Sequence, residues 1–201
     1  MERITDMARA LAKRFRSDRR GVAAIEFALV VPLMLVMYLG TIEISSAVSI
    51  NRKVSRIAAT VADLVTQQTE VTKTSLAGMM EIGEAILYPY TAERPVIRII
   101  GINVDSSFPE GGKVVWSRRF NKGTLDDGGL TAGENTWVPS DLRIDGTFLV
   151  RVDTSLDYVP IVNWLIGDTI GTVKDGVGVI EMEERYFLRP RIGAAIDCTD
   201  C

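Results

Sequence analysis

The chain has 201 residues, 23 basic and 26 acidic side chains, a formal net charge of −3, two cysteines and no histidine. That length supports one ordinary hydrophobic core. The lack of histidine removes the usual base of a nucleophilic triad and any zinc site that needs an imidazole.

Met1–Arg20 is a basic leader, with Arg3, Arg9, Lys13, Arg14, Arg16, Arg19 and Arg20 against Glu2, Asp6 and Asp18. An apolar stretch follows. From Val22 to Ile42 every residue is apolar except Glu26, Pro32, Gly40 and Thr41. As a helix it rises about 30 Å, the hydrocarbon thickness of a bilayer. Proline is tolerated in such a span. Basic residues stay on the cytoplasmic side, which sends the C-terminal part across. The leader's place against the span makes topology its reading, rather than nucleic-acid binding. Arg19-Arg20 alone is too little for a twin-arginine signal. Glu26 is the awkward residue, because a carboxylate in lipid is costly unless it snorkels, is protonated or is paired with a cation.

Arg-Arg-Gly, then four residues, then Glu26-Phe27 opening an apolar helix, resembles the cleavage region of type IV prepilins. More narrowly, Gly21-Val-Ala-Ala-Ile-Glu26-Phe27-Ala-Leu-Val-Val-Pro32 resembles the TadE/TadG family of the tight-adherence (Tad) pilus system. The resemblance implies that a prepilin peptidase cuts after Gly21, that Val22 becomes the new N-terminus, and that Glu26 is the fifth mature residue. It also implies that Glu26 pairs with the free amine of a neighbouring subunit in the membrane. The competing reading is a conventional signal peptide cut after Ala47, at Ser45-Ser46-Ala47. The apolar stretch is longer than the usual signal core.

Beyond the span, Ala47, Ile50, Val54, Ile57, Val61 and Leu64 recur at helical spacing with polar residues between them. The helix is expected to continue over 43–66, for a total of about 68 Å. Its seam is expected to pack on the chain's own domain rather than form a coiled coil. Gln67–Lys73 reads as a polar break. Thr74 or Ser75 can cap a second helix with Leu76, Met79, Met80, Ile82, Ile86 and Leu87 on its apolar side, ended by Pro89. Met79-Met80 reads as core filling.

Val96–Val104, Lys113–Phe120, Thr147–Ser155 and Val179–Leu188 are rich in β-branched and aromatic residues and read as strands. The first two are joined by the turn Phe108–Gly112. Residues 121–145 read as loop, and Asp126-Asp127 as a solvated turn rather than a calcium loop. Asp157–Gly167 reads as an apolar loop or short helix. Val115-Trp116-Ser117, Tyr158-x-Pro160 and Tyr186-Phe-Leu-Arg-Pro-Arg191 look like the exported half of TadE/TadG-like proteins. Trp116, Tyr158 and Tyr186 are expected to be ordinary aromatic core.

Cys198-x-x-Cys201 ends the sequence. With no histidine and no third cysteine, a four-cysteine or mixed zinc site within one chain is excluded. A local disulfide is the first expectation in an oxidising compartment; inter-chain pairing and free thiols are the alternatives. No nucleophile elbow or phosphate loop is present, and Gly176-Val-Gly178 lacks the last glycine of a dinucleotide fingerprint. No enzyme, cofactor or metal is expected.

The expected fold is α+β: a long N-terminal transmembrane helix continuing into a domain with a second helix and an antiparallel sheet of about four strands. The expected organisation is a cytoplasmic leader over 1–21, a span over 22–42 and an exported domain over 43–201. By resemblance the chain is a TadE-like pseudopilin or assembly component, its size favouring TadE over the typically longer TadG type. It sits in the inner membrane with its C-terminal domain periplasmic or extracellular. Its implied partners are the prepilin peptidase, other Tad pseudopilins, inner-membrane assembly proteins and membrane lipid, with no nucleic acid. The alternative is a membrane-anchored or secreted binding domain without a pilus role, which would need neither Gly21 nor Glu26.

Overall fold

A computed structural model describes Lys13 and residues 21–90, 93–127, 129–161, 171–174 and 176–201. The rest of the basic leader and most of the expected Asp157–Gly167 element lie outside the described residues. Helix α1 runs over Val22–Thr66. The chain divides into two units, Met1–Ile44 and Ser45–Cys201.

In the second unit, the seam of α1 is buried at Ile50, Val54, Ile57, Ala58, Val61, Ala62 and Val65. Leu64 is only half-buried. Strand β1 (Glu70–Val71) interrupts the polar break. Helix α2 spans Lys73–Ala85. Its N-cap is Thr72, not Thr74 or Ser75. Thr72 Oγ1 accepts from Ser75 N, and Ser75 Oγ accepts from Thr72 N. Two hydroxyl side chains three residues apart satisfy two otherwise unpaired amides, and that selects the cap. Leu76 and Met80 are buried on α2, as is Leu87 just beyond it, whereas Ile82 is exposed. Gly83 takes the inward place instead. A Cβ there would lie 2.8 Å from Val61 Cγ2 and 3.1 Å from Ile57 Cγ2, so the glycine lets α2 approach α1.

The sheet has seven strands rather than four. Strands β2 (Val96–Val104), β3 (Gly111–Asn121), β4 (Thr124–Asp126), β5 (Asn135–Trp137), β6 (Phe148–Tyr158), β7 (Thr172–Lys174) and β8 (Val177–Leu188) run in the order β4-β3-β2-β6-β8-β7, with β5 also on β3. All these pairings are antiparallel. The four long strands are those with β-branched runs. The three additions are three residues each, too short to show a period of two, and two of them lie within the stretch expected to be loop. A separate parallel pair joins β1 to β9 (Asp197–Cys198).

Alternation sorts the strand residues onto two faces. Ile97, Ile99, Trp116, Phe120, Val150, Val152, Leu156 and Tyr158 join the α1–α2 core. Ile100, Ile102, Val104, Val114 and Leu149 form a second cluster on the opposite face, closed by Val138 and by the half-buried Leu130 and Leu142. The excursion between β4 and β6 is thus a cover over that face. Trp116 and Tyr158 are core, as expected, but Tyr186 is 41% exposed on β8. Strand β8 lies toward the edge of the sheet, where a side chain lacks one flanking strand.

Candidate functional site

The stretch singled out by the sequence begins at a turn. Gly21 precedes α1, and its carbonyl accepts from Ile25 N at 3.1 Å, which closes the first helical ring over Val22–Ala24. Val22, Glu26 and Phe27 therefore lie in the first two turns. Val22 and Glu26 are four residues apart, so they share one face. All of 21–42 is exposed except Val31 and Gly40, which are half-buried. Phe27, Leu29, Leu33, Met34 and Met37 are each more than 60% exposed. Among the described residues this is the one helix long and apolar enough to cross a membrane, and its most apolar window is wholly unburied. An apolar surface of that extent calls for lipid or other apolar helices. Thr41 Oγ1 donates to Met37 O at 2.8 Å, which satisfies the hydroxyl inside the helix.

The later half of α1 is held in the second unit by polar contacts. Lys53 Nζ donates to Tyr88 O (2.9 Å) and Ile86 O (3.1 Å), and approaches Leu87 O at 3.5 Å. It also stands 4.7 Å from the centroid of the Tyr90 ring. A lysine thus meets carbonyls just past the C-terminus of α2, where the helix dipole favours a cation. Asp63 pairs with Arg191, whose amide donates to Thr66 O at 2.9 Å.

The C-terminal segment closes the same core. Cys198 and Cys201 are disulfide-bonded, with Cα atoms 5.4 Å apart. Asp200 Oδ1 accepts from Lys73 N at 2.7 Å, at the first residue of α2. Trp116 Nε1 donates to Ile196 O at 2.8 Å in a buried setting. Arg118 reaches both Asp127, at 2.8 Å, and the Cys201 main-chain oxygen.

On the sheet face away from the helices, strand register lines up Asp126, Arg119, Arg98, Asp153 and Arg185 in one row. Asp126 takes a two-pronged bond from Arg119 (2.9 and 3.0 Å), which raises the Arg119 pKa. Asp153 lies between Arg185 (3.0 Å) and Arg151 (3.1 Å). Burial lowers the pKa of Arg151, against the pull of Asp153. An open groove of about 500 Å3 is lined by Arg98, Asp153 and Arg185 of this row together with Glu183 and Glu184. Asp153 and Arg185 are paired within it, whereas the buried Arg98 Nε has no hydrogen-bond partner among the described residues.

Gly21, Val22, Glu26 and Phe27 are thus gathered at the start of α1, and the two cysteines sit in the other unit. Lys53, Arg191 and Asp200 were not singled out by sequence reasoning. Each acts on a carbonyl, carboxylate or amide more than thirty residues away, and no local pattern marks such a partner.

A family model described as TadE-like protein matches residues 21–63. The matched segment takes in the Gly21 turn, the exposed apolar helix and the start of the buried seam. No curated protein and no solved structure matches the chain.

Proposed function

We propose that this chain is a TadE-like minor pseudopilin, or a membrane-anchored assembly component, of a Tad pilus. A prepilin peptidase cuts it after Gly21. The helix from Val22 to Ile42 spans the inner membrane, and the later residues form an exported domain. The observation that carries this reading is one stretch with three properties: TadE-like sequence, a glycine turn at its head, and an apolar helix with no cover of its own. In an assembly, apolar helices pack side by side and Glu26 meets the Val22 amine of a neighbour. Pairing offsets the cost of placing either charge in lipid. The partners are the peptidase, other pseudopilins and inner-membrane assembly proteins. No catalytic chemistry belongs to this role.

The test is the mature N-terminus, read by intact mass and N-terminal sequencing from cells that hold the cognate peptidase. A start at Val22 supports pilin-type processing. A start at Val48 would instead mean a secreted domain, and an intact Met1 a plain anchor. The Glu26→Ala variant should still insert yet assemble poorly. Normal piliation in that variant would remove Glu26 from the mechanism.

A further inference from the structure

Within the unit Ser45–Cys201, strand register builds the floor of the open groove from two neighbouring rows. Arg98, Asp153 and Arg185 form one row, and Val96, Ser155 and Glu183 the other. The floor is two strand spacings wide, about 10 Å. All six residues belong to this one unit. The volume of about 500 Å3 lies within the range of about 300–1,000 Å3 usual for small-molecule clefts.

Arg98 is the unsatisfied member of that floor. Its Nε is buried without a hydrogen-bond partner, and its guanidinium forms no ion pair among the described residues. Both of its cross-strand neighbours are engaged elsewhere. Arg119 is bound by Asp126, and Asp153 is shared by Arg185 and Arg151. A planar carboxylate matches the fork of donors that remains, and pairing relieves the cost of a buried unmade bond. The rest of the floor limits which anion fits. Asp153 and the exposed Glu183 are negative, which disfavours a multiply charged phosphate and favours a single carboxylate. Ser155 and Glu183 make no side-chain hydrogen bond among the described residues and can accept from hydroxyls. Half-buried Val96 offers an apolar contact beside them. Main-chain N–H and C=O groups of a sheet point to the neighbouring strands, so a peptide laid on this face finds no main-chain partner. A ligand rich in hydroxyls meets the side chains directly. Arg98 and Glu183 sit at diagonal corners, with Cα atoms roughly 12 Å apart by strand geometry, so a ligand that reaches both has more than one sugar ring.

We propose that this groove binds a uronate-bearing oligosaccharide, with the carboxylate on Arg98 and hydroxyls on Ser155 and Glu183. The site goes beyond the pilus reading and does not depend on the membrane placement of residues 22–42.

The test is isothermal titration calorimetry of the detergent-solubilised full chain. The probes are trigalacturonate and its methyl ester, which keeps the rings and removes the charges. Trigalacturonate should bind, and the ester should bind at least about tenfold more weakly, the loss expected for a charge-assisted pair. Arg98→Gln should weaken trigalacturonate by a similar factor with an unchanged circular dichroism spectrum, and Arg98→Lys should retain part of the binding. Absence of binding by the parent chain, equal binding of acid and ester, or an unchanged affinity in Arg98→Gln overturns the proposal. The ester comparison decides the matter even where Arg98→Gln does not fold. Triglutamate or inorganic phosphate binding as tightly as trigalacturonate would reveal a general anion site and overturn the saccharide assignment.

Discussion

Lys53 offers a direct test of how α1 is fixed to α2. Its ammonium donates to carbonyls at 2.9 and 3.1 Å beyond the end of α2 and stands over the Tyr90 ring. Lys53→Met keeps most of the side-chain stem and removes the charge and the donors. Hydrogen bonds from a charged group contribute about 1.5–3 kcal/mol, and the site's partial exposure reduces that to about 1–2 kcal/mol. For a domain of roughly 150–200 residues this lowers Tm by about 3–6 °C. The assay is thermal unfolding of the detergent-solubilised full chain by circular dichroism. Arg52→Met, one residue away and exposed, should stay within about 0.5 kcal/mol of the parent. Lys53→Arg should recover part of the loss, because the charge remains. A shift below about 1 °C in Lys53→Met, or an equal loss in Arg52→Met, would refute the idea that this lysine clamps the two helices.

Three further outcomes can be checked on the same preparation. Trp116→Phe leaves the buried Ile196 carbonyl without its donor, and should cost about 1–3 kcal/mol in denaturant unfolding while β2–β3 pairing stays intact. Gly101→Val places a Cβ 2.6 Å from Trp116 Cε2 and 2.7 Å from Phe148 Cζ. Both rings are buried and neither can yield, so a loss of about 3 kcal/mol or poor expression is expected, and an unchanged Tm would show that the packing had been misjudged. Asp105 has a carboxyl pKa held below its ordinary value of 3.8, chiefly by hydrogen bonding to Ser107. A depressed carboxylate contributes stability above that value and loses it as pH falls through the lower, folded-state pKa. Asp105→Asn should therefore lower Tm slightly at neutral pH and converge with the parent as pH falls through the carboxylate range, so that the acid limb of Tm against pH is flatter.

What the sequence disclosed follows from the length of each signal. The long strands Val96–Val104 and Val177–Leu188 and the seam from Ile50 to Val61 repeat their pattern several times, so their periods could be read. Strands of three residues carry less than two periods and register as loop. The outward turn of Ile82 was hidden because the decision lies with Gly83, whose missing side chain only matters once α1 is beside it. Tyr186 was expected in the core because composition cannot tell a central strand from one near the edge. The candidate segment itself was legible because Gly21, Val22, Glu26 and Phe27 are contiguous, so order alone preserves their relation. The ties made by Lys53, Asp63 and Asp200 join distant residues and leave no trace in local order.

The closing segment has a consequence for when the domain becomes whole. Residues 196–201 supply the buried Ile196, the parallel partner of β1, the bond to Trp116 and the acceptor at the head of α2. Residues 196–201 are translated after every other described part of the core. Until they arrive, the slot beside Trp116 is open and the Lys73 amide lacks its acceptor. The core then has an open slot where Ile196 would pack. Cooperative closure of this core therefore waits on residues 196–201.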